Sequence, residues 1–378
     1  MEKIYLFLVL CGQVFVERKD SNEILLFDFQ PKMEHTMRAM VLTGLRQMEM
    51  RTVPDPVLKT DTDVLIRMKS VGVCGSDVHY YVEGNIGSQV VKYPFAVGHE
   101  GAGVVEKIGS KVTRVKPGDR IAIEPAMPCR QCDQCKAHRF HTCRHLKFLG
   151  CPGQAEGCLS EHIVMPETCC YPIPDRMTFD QAAISEPLSI GVYAVKLSIP
   201  MKKAHIGILG SGPIGLSVLL AARAGGAEAV FVTDKIDSRL AVAKAAGAEE
   251  IANPLKENII ERKPAVLDAV FECCGQQEAI DQAVEILKPG GKLMLIGIPT
   301  VNRISFSIDK IRRKEICIQN VRRQNECVQP ALDMIANNRV NVDLMVTHRF
   351  GFDQTKDAFD LVADYRDGVV KAMIEFPN

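Results

Sequence analysis

The chain has 378 residues, 47% of them hydrophobic and 24% charged, with 46 basic side chains against 46 acidic ones. This supplies a globular core and, at that length, two domains; the balanced charge excludes a field that would draw the protein to nucleic acid or to an anionic membrane. The expected partner is a small molecule, and the fourteen cysteines are read as thiols and metal ligands of a reducing, cytoplasmic compartment.

Lys3 is followed by I-Y-L-F-L-V-L-C, an apolar run of eight with no small-residue cleavage site after it. Such a run falls far short of the roughly 20 residues that span a bilayer. Met37 is the expected start of the fold, because R-A-M-V-L opens a first strand there; residues 1–36 are read as an extension, disordered or foreign to the native protein. Between 37 and 186 the segments D-V-L-I-R-M-K-S-V-G-V, G-A-G-V-V-E-K-I-G and D-R-I-A-I alternate with Pro and Gly turns. They predict a mostly β domain with few helices. Between 187 and 320, nearly continuous apolar strands alternate with helical stretches, which predicts a doubly wound parallel sheet covered on both faces. The pair Cys273 and Cys274 is read as buried strand filling. Residues 321–378 turn mixed again and are expected to rejoin the first domain.

Gly210, Gly212 and Gly215 form G-x-G-x-x-G between a predicted strand and a predicted helix. In that context the first glycine permits the tight turn, the second the approach of a pyrophosphate and the third close helix packing, with helix amides facing the anion. Asp234 ends the next strand at the spacing of a ribose-binding carboxylate, which favours NAD over NADP; Lys235 and Arg239 temper that preference.

Cys129, Cys132, Cys135 and Cys143 are separated by two, two and seven residues, a crowding that suits one tetrahedral zinc or a pair of disulfides. C-x2-C-x2-C also begins a ferredoxin run, which would make this an iron–sulfur protein. That run needs C-x3-C-P next, and here Arg144 follows Cys143. A zinc module for nucleic acid would use Arg130, Lys136, Arg139 and Arg144, against which the neutral overall charge weighs. A second, quieter set comprises Cys74, His99, Glu100 and Glu186, the ligand types of a catalytic zinc with an open position.

In this order, G-H-E, V-K-P-G-D-R, the cysteine lobe, S-E-P-L and G-S-G-P-I-G resemble the zinc-dependent medium-chain dehydrogenases over nearly all of 37–378. G-V-C-G-S-D-V-H-Y-Y and V-T-H-R-F are most similar to the sorbitol (L-iditol) and xylitol branch, with threonine and aldonate or inositol dehydrogenases as alternatives. The resemblance implies a GroES-like catalytic domain, a Rossmann domain and a dimer or tetramer. It implies two Zn2+ per chain: one on Cys74, His99 and Glu100 with Glu186 beside them, and one structural ion on the four cysteines of the lobe. It places Gly210, Gly212, Ile214, Gly215, Asp234 and Arg239 on the NAD, and Tyr80 and Arg322 along the substrate. The reaction implied is reversible oxidation of a secondary alcohol of a polyol or sugar-derived substrate to a ketone. Ser76 and His79 are candidates to carry the hydroxyl proton away. Two departures stand out. Arg323 replaces the tyrosine of a common F-R-Y segment, which points to a more polar or acidic substrate or to a subunit contact. His141 precedes Cys143 in H-T-C and is expected to be exposed.

Overall fold

The computed structural model describes residues 35–377, together with the backbone of three short strands, Phe7–Leu10, Gln13–Glu17 and Ile24–Asp28, which form an antiparallel sheet of their own. Up to residue 34, the reading of residues 1–36 as an extension otherwise lies outside the described residues. Thr36–Gly44 pairs with Gln47–Pro54 as a hairpin.

The first large sheet has seven strands. Their order is Cys170–Pro172, Arg120–Ile123, Glu100–Ile108, Asp63–Gly72, Lys371–Glu375 and Val346–Gly351, with His162–Pro166 also pairing onto Asp63–Gly72. All neighbours are antiparallel except the last pair, which is parallel. The central strand owes its place to alternation: Val64, Ile66 and Met68 are buried, whereas Leu65, Arg67 and Lys69 are only partly covered. The C-terminal segment enters this sheet through Lys371–Glu375, which pairs Met373 with Gly72 and Ile374 with Val71.

The second sheet has six parallel strands in the order Glu250–Ala252, Ala229–Thr233, His205–Leu209, Leu267–Glu272, Leu287–Leu295 and Cys317–Asn320. This is the doubly wound order, in which the chain reverses beside its first strand and leaves a crevice at the strand ends. Ile206, Ile208, Ala269 and Phe271 are fully buried between the covering helices.

Two helices depart from the sequence reading. Gly75–Glu83 follows directly on the central strand, and Phe179–Leu197 runs through the expected boundary at residue 186. The longer one is held at its start by a capping box in which Thr178 and Gln181 exchange hydrogen bonds. Pro187 sits inside it and withholds one backbone donor, so the local sequence looks like a helix break although packing sustains the helix. Gly191 lets it cross closely over the helix Pro213–Ala224: a Cβ there would lie 2.4 Å from the Ser217 carbonyl carbon. Cys273 and Cys274 also differ from expectation, because the strand ends at Glu272 and Cys274 is exposed in the turn beyond. Among the described residues, no helix is long and apolar enough to cross a membrane.

Candidate active site

The register of the central sheet brings the quiet ligand set together. Gly72 lies opposite Glu100, and a Cβ at Gly72 would come within 2.2 Å of Glu100 Oε2, so the absent side chain makes room for the carboxylate. Gly98 takes a positive φ of 99° just before His99. Cys74 occupies the N-cap of the helix Gly75–Glu83. As a result one donor atom from each of Cys74, His99 and Glu100 lies within 4.8 Å of the other two.

Each donor has a support. His99 Nδ1 lies 3.1 Å from Asp77 Oδ1, which directs Nε2 into the cluster, and Asp77 also accepts from the Gly98 amide at 3.2 Å. Glu100 is held by Lys371, whose Nζ donates to both carboxylate oxygens at 2.7 and 2.6 Å and to the Val73 carbonyl at 3.0 Å; both side chains are almost wholly buried. A thiol, an imidazole nitrogen and a carboxylate, buried and oriented, fit a zinc ion with an open position. Glu186 is not among the three grouped donors, but it is buried within range of their charges. Burial pushes its carboxyl up to about 7, with His99 opposing and Glu100 adding to the shift. A bound cation would draw it back down.

Asp77→Asn is expected to weaken zinc affinity at this site by about 10- to 100-fold while leaving the fold intact. Competition with a chromophoric chelator would check this, and unchanged affinity would remove Asp77 from the site.

The remaining walls come from several elements. Ser76 Oγ donates to Cys74 Sγ at 3.4 Å, and His79 Nδ1 lies 3.5 Å from Glu83 Oε1; no hydrogen bond joins Ser76 to His79. Tyr80 is buried, with its hydroxyl 3.2 Å from Gln89 Oε1 and 3.7 Å from Cys151 Sγ. Arg322 is exposed, whereas the Arg323 guanidinium turns inward over the Phe148 ring, 3.5 Å from its centroid. Phe148 in turn lies against His99, with ring centroids 5.4 Å apart.

In the lobe, the sulfurs of Cys129, Cys132, Cys135 and Cys143 all lie within 4.8 Å of one another, and none forms a disulfide. The Cys132–Cys143 separation of 3.9 Å matches the edge of about 3.8 Å expected for a tetrahedron with zinc–sulfur bonds near 2.3 Å. Amide donors assist the thiolates: the Cys129 amide reaches Cys143 Sγ at 3.2 Å, and hydrogen bonds from the Arg144 and Cys135 backbones draw Cys132 down to about 6. Four ligands close this shell and leave no position for a substrate. His141 is buried, contrary to expectation, because the lobe packs it against Tyr193, whose hydroxyl lies 3.1 Å from His141 Nε2.

At the end of His205–Leu209, Gly210 has a φ of 98°, and a Cβ on Gly215 would lie 1.8 Å from the Gly210 oxygen. Only glycine fits either place. Gly212 caps the helix Pro213–Ala224, with Pro213 at its first position and Ile214 half-buried in the first turn. Asp234 accepts from the Ser211 amide at 2.7 Å and from the Ile236 amide at 2.9 Å, which fixes its carboxylate beside the turn. Arg239 donates to the Val369 carbonyl at 3.0 and 2.8 Å and lies over Tyr365.

Two family profiles match the chain: Alcohol dehydrogenase GroES-like domain over residues 60–175, and Zinc-binding dehydrogenase over residues 213–337. Sorbitol dehydrogenase of Bacillus subtilis (strain 168) is 34% identical over 355 residues, which are 92% of this chain and 100% of that protein. The chain belongs to the zinc-dependent medium-chain dehydrogenases. L-idonate 5-dehydrogenase of Vitis vinifera is 33% identical, covering 87% of this chain and 92% of its own. Among solved structures, an oxidoreductase/dehydrogenase of unknown specificity from Escherichia coli superposes with a TM-score of 0.85 at 31% identity, covering 91% of this chain and 100% of that one. A short chain alcohol dehydrogenase from Escherichia coli CFT073, complexed with NADH, gives 0.82 at 26% identity, covering 90% and 99%. A candidate zinc-binding dehydrogenase from Sinorhizobium meliloti 1021, bound to NADP, gives 0.83 at 27%, also covering 90% and 99%.

This dehydrogenase is thus a zinc-containing, NAD(P)-dependent oxidoreductase, with two clusters suited to zinc and a glycine turn suited to a dinucleotide. Asp77 and Lys371 had escaped the sequence reading. Asp77 stands three residues after Cys74, a spacing that could have suggested a support for the next ligand. Lys371 carries no local signal.

Proposed function

We propose that this dehydrogenase oxidises a secondary alcohol of a polyol or sugar-derived substrate to the ketone, reversibly, with NAD+ as the acceptor. The observation that carries the reading is the oriented Cys74, His99 and Glu100 set in the same chain as the Gly210 to Gly215 turn. When bound, zinc supplies Lewis acidity and the nicotinamide supplies a hydride acceptor. The protein holds the carbinol carbon in place, and such orientation can supply about 7–11 kcal/mol of barrier lowering. Asp77 and Lys371 keep the ligand side chains from wandering. Glu186 faces the same space and can accept a hydrogen bond from the substrate. The Ser76 hydroxyl, free to rotate away from Cys74, takes the hydroxyl proton toward half-buried His79, from which it reaches water.

NAD+ is favoured over NADP+ because Asp234 would repel a 2′-phosphate while Arg239 is already engaged by the Val369 carbonyl. The free thiols fit a cytoplasmic setting, and the edge strand Cys317–Asn320 of the parallel sheet offers a seat for a second copy.

A screen of NAD+ reduction across polyols, aldonic acids, inositols and L-threonine tests the reading. Turnover is expected on polyols or sugar acids, with NAD+ preferred. Turnover confined to L-threonine, or to primary alcohols, would refute it.

A further inference from the structure

We infer that Arg323 seats an anionic end group of the substrate, so that the true substrates are acidic sugar derivatives, bearing a carboxylate or a phosphate, rather than neutral polyols. The inference rests on the secondary-alcohol reading above and narrows its substrate class.

Arg323 follows the last strand of the parallel sheet and adopts a φ of 51°, a conformation that residues other than glycine rarely take. Its neighbours fix it there. Gln324 donates to buried Glu124 and accepts from the Cys327 amide at 2.8 Å. Asn325 accepts from the Phe140 amide at 3.0 Å and donates to the His138 carbonyl at 2.9 Å, which ties the segment to the cysteine lobe. The guanidinium is thereby laid over Phe148, the ring that rests against His99.

Despite this anchoring, Nη1 is buried without a hydrogen-bond partner. A buried N–H that makes no bond loses the water it would otherwise hold, and native structures rarely leave one so. The acids that share its field do not remove the need. Glu124 is taken up by Gln324 and by the Ala126 amide at 3.0 Å, and burial pushes it up to about 8. Glu186 attracts the guanidinium, but the two form no hydrogen bond. Burial and the adjacent Arg322 charge both disfavour an isolated cation here, and burial outweighs the neighbour. A carboxylate or phosphate oxygen on the substrate would answer both, since a guanidinium fixed over a ring presents its N–H edge for a forked contact.

The test uses zinc-replete enzyme and matched substrates: D-glucitol, D-gluconate, which is the same chain with a terminal carboxylate, and D-glucitol 6-phosphate. Wild-type enzyme should show the higher kcat/KM on an anionic member. The anionic-to-neutral ratio should fall by about 10- to 100-fold in Arg323→Met, mainly through KM. Arg323→Lys, which keeps the charge and loses the fork, should fall between and covers the case in which the Met variant does not fold. Gluconate against the phosphate ester tells which anion is seated. Equal ratios in wild type and variants would overturn the inference and leave polyol oxidation standing, with Arg323 an internal counter-ion to Glu186. Should none of the three be turned over, the secondary-alcohol reading is decided by the wider screen above. Calorimetric titration of gluconate into the NADH complex then decides: binding lost in Arg323→Met supports the seat, and equal binding contradicts it.

Discussion

Cys74→Ser should leave the protein folded and able to bind NADH, while kcat/KM falls by at least about 10³-fold. The expected size follows from losing several kcal/mol of charge stabilisation when a thiolate ligand is removed, at about 1.4 kcal/mol per factor of ten. The fold should survive because Cys74 occupies a helix N-cap without making a side-chain cap hydrogen bond, and serine is a favoured N-cap residue. Stopped-flow NADH fluorescence and steady-state turnover on the substrate found by the screen would separate binding from chemistry. If NADH affinity and turnover fell together, a disturbed fold rather than a lost ligand would be responsible.

Lys371→Met is expected to produce the largest loss of stability, about 3–5 kcal/mol by urea unfolding in the presence of chelator. Lys371 has no exposed surface and donates three hydrogen bonds, two of them to Glu100. Removing it leaves a buried carboxylate that has lost the side-chain hydrogen bonds it accepts among the described residues. The double variant Glu100→Gln, Lys371→Met should recover part of the loss, since it no longer buries an unpaired charge. A single-variant change under about 1 kcal/mol would mean that Glu100 finds another partner or water. The pair also joins the C-terminal segment to the ligand set, because Lys371 opens the strand that closes the first sheet against Asp63–Gly72.

Much of the parallel-sheet region is legible from local sequence. Continuous apolar strands, the Gly210 to Gly215 turn and Asp234 at the next strand end each depend on a few neighbouring residues, and the structure places them at one crevice. The ligand set is different in kind. Cys74 and His99 meet only because Gly72 pairs with Glu100 across two strands, a register that spacing along the chain does not reveal. Family resemblance supplied that grouping. Lys371 could not be read at all: a lysine near the end of a chain is exposed by default, and this one is buried solely because its partner lies 271 residues earlier. Pro187 concealed a helix that tertiary packing sustains, and Tyr193 buries a histidine whose local sequence suggested exposure. Arg322 is exposed while the Arg323 guanidinium turns inward over Phe148, a difference between neighbours that the local sequence does not show.

Two groups of side chains are suited to a metal ion, and the proposed division is that the four thiolates hold a lobe while the three mixed ligands face substrate. The lobe does more than fill space, since it grips Asn325 next to Arg323 and packs His141 on Tyr193. Zinc content per chain, measured by mass spectrometry on purified wild type and Cys74→Ser, tests this division most directly. Two zinc ions in wild type and one in an inactive, folded Cys74→Ser protein are predicted. Two ions retained in Cys74→Ser, or full turnover by a protein that has lost one, would contradict the assignment.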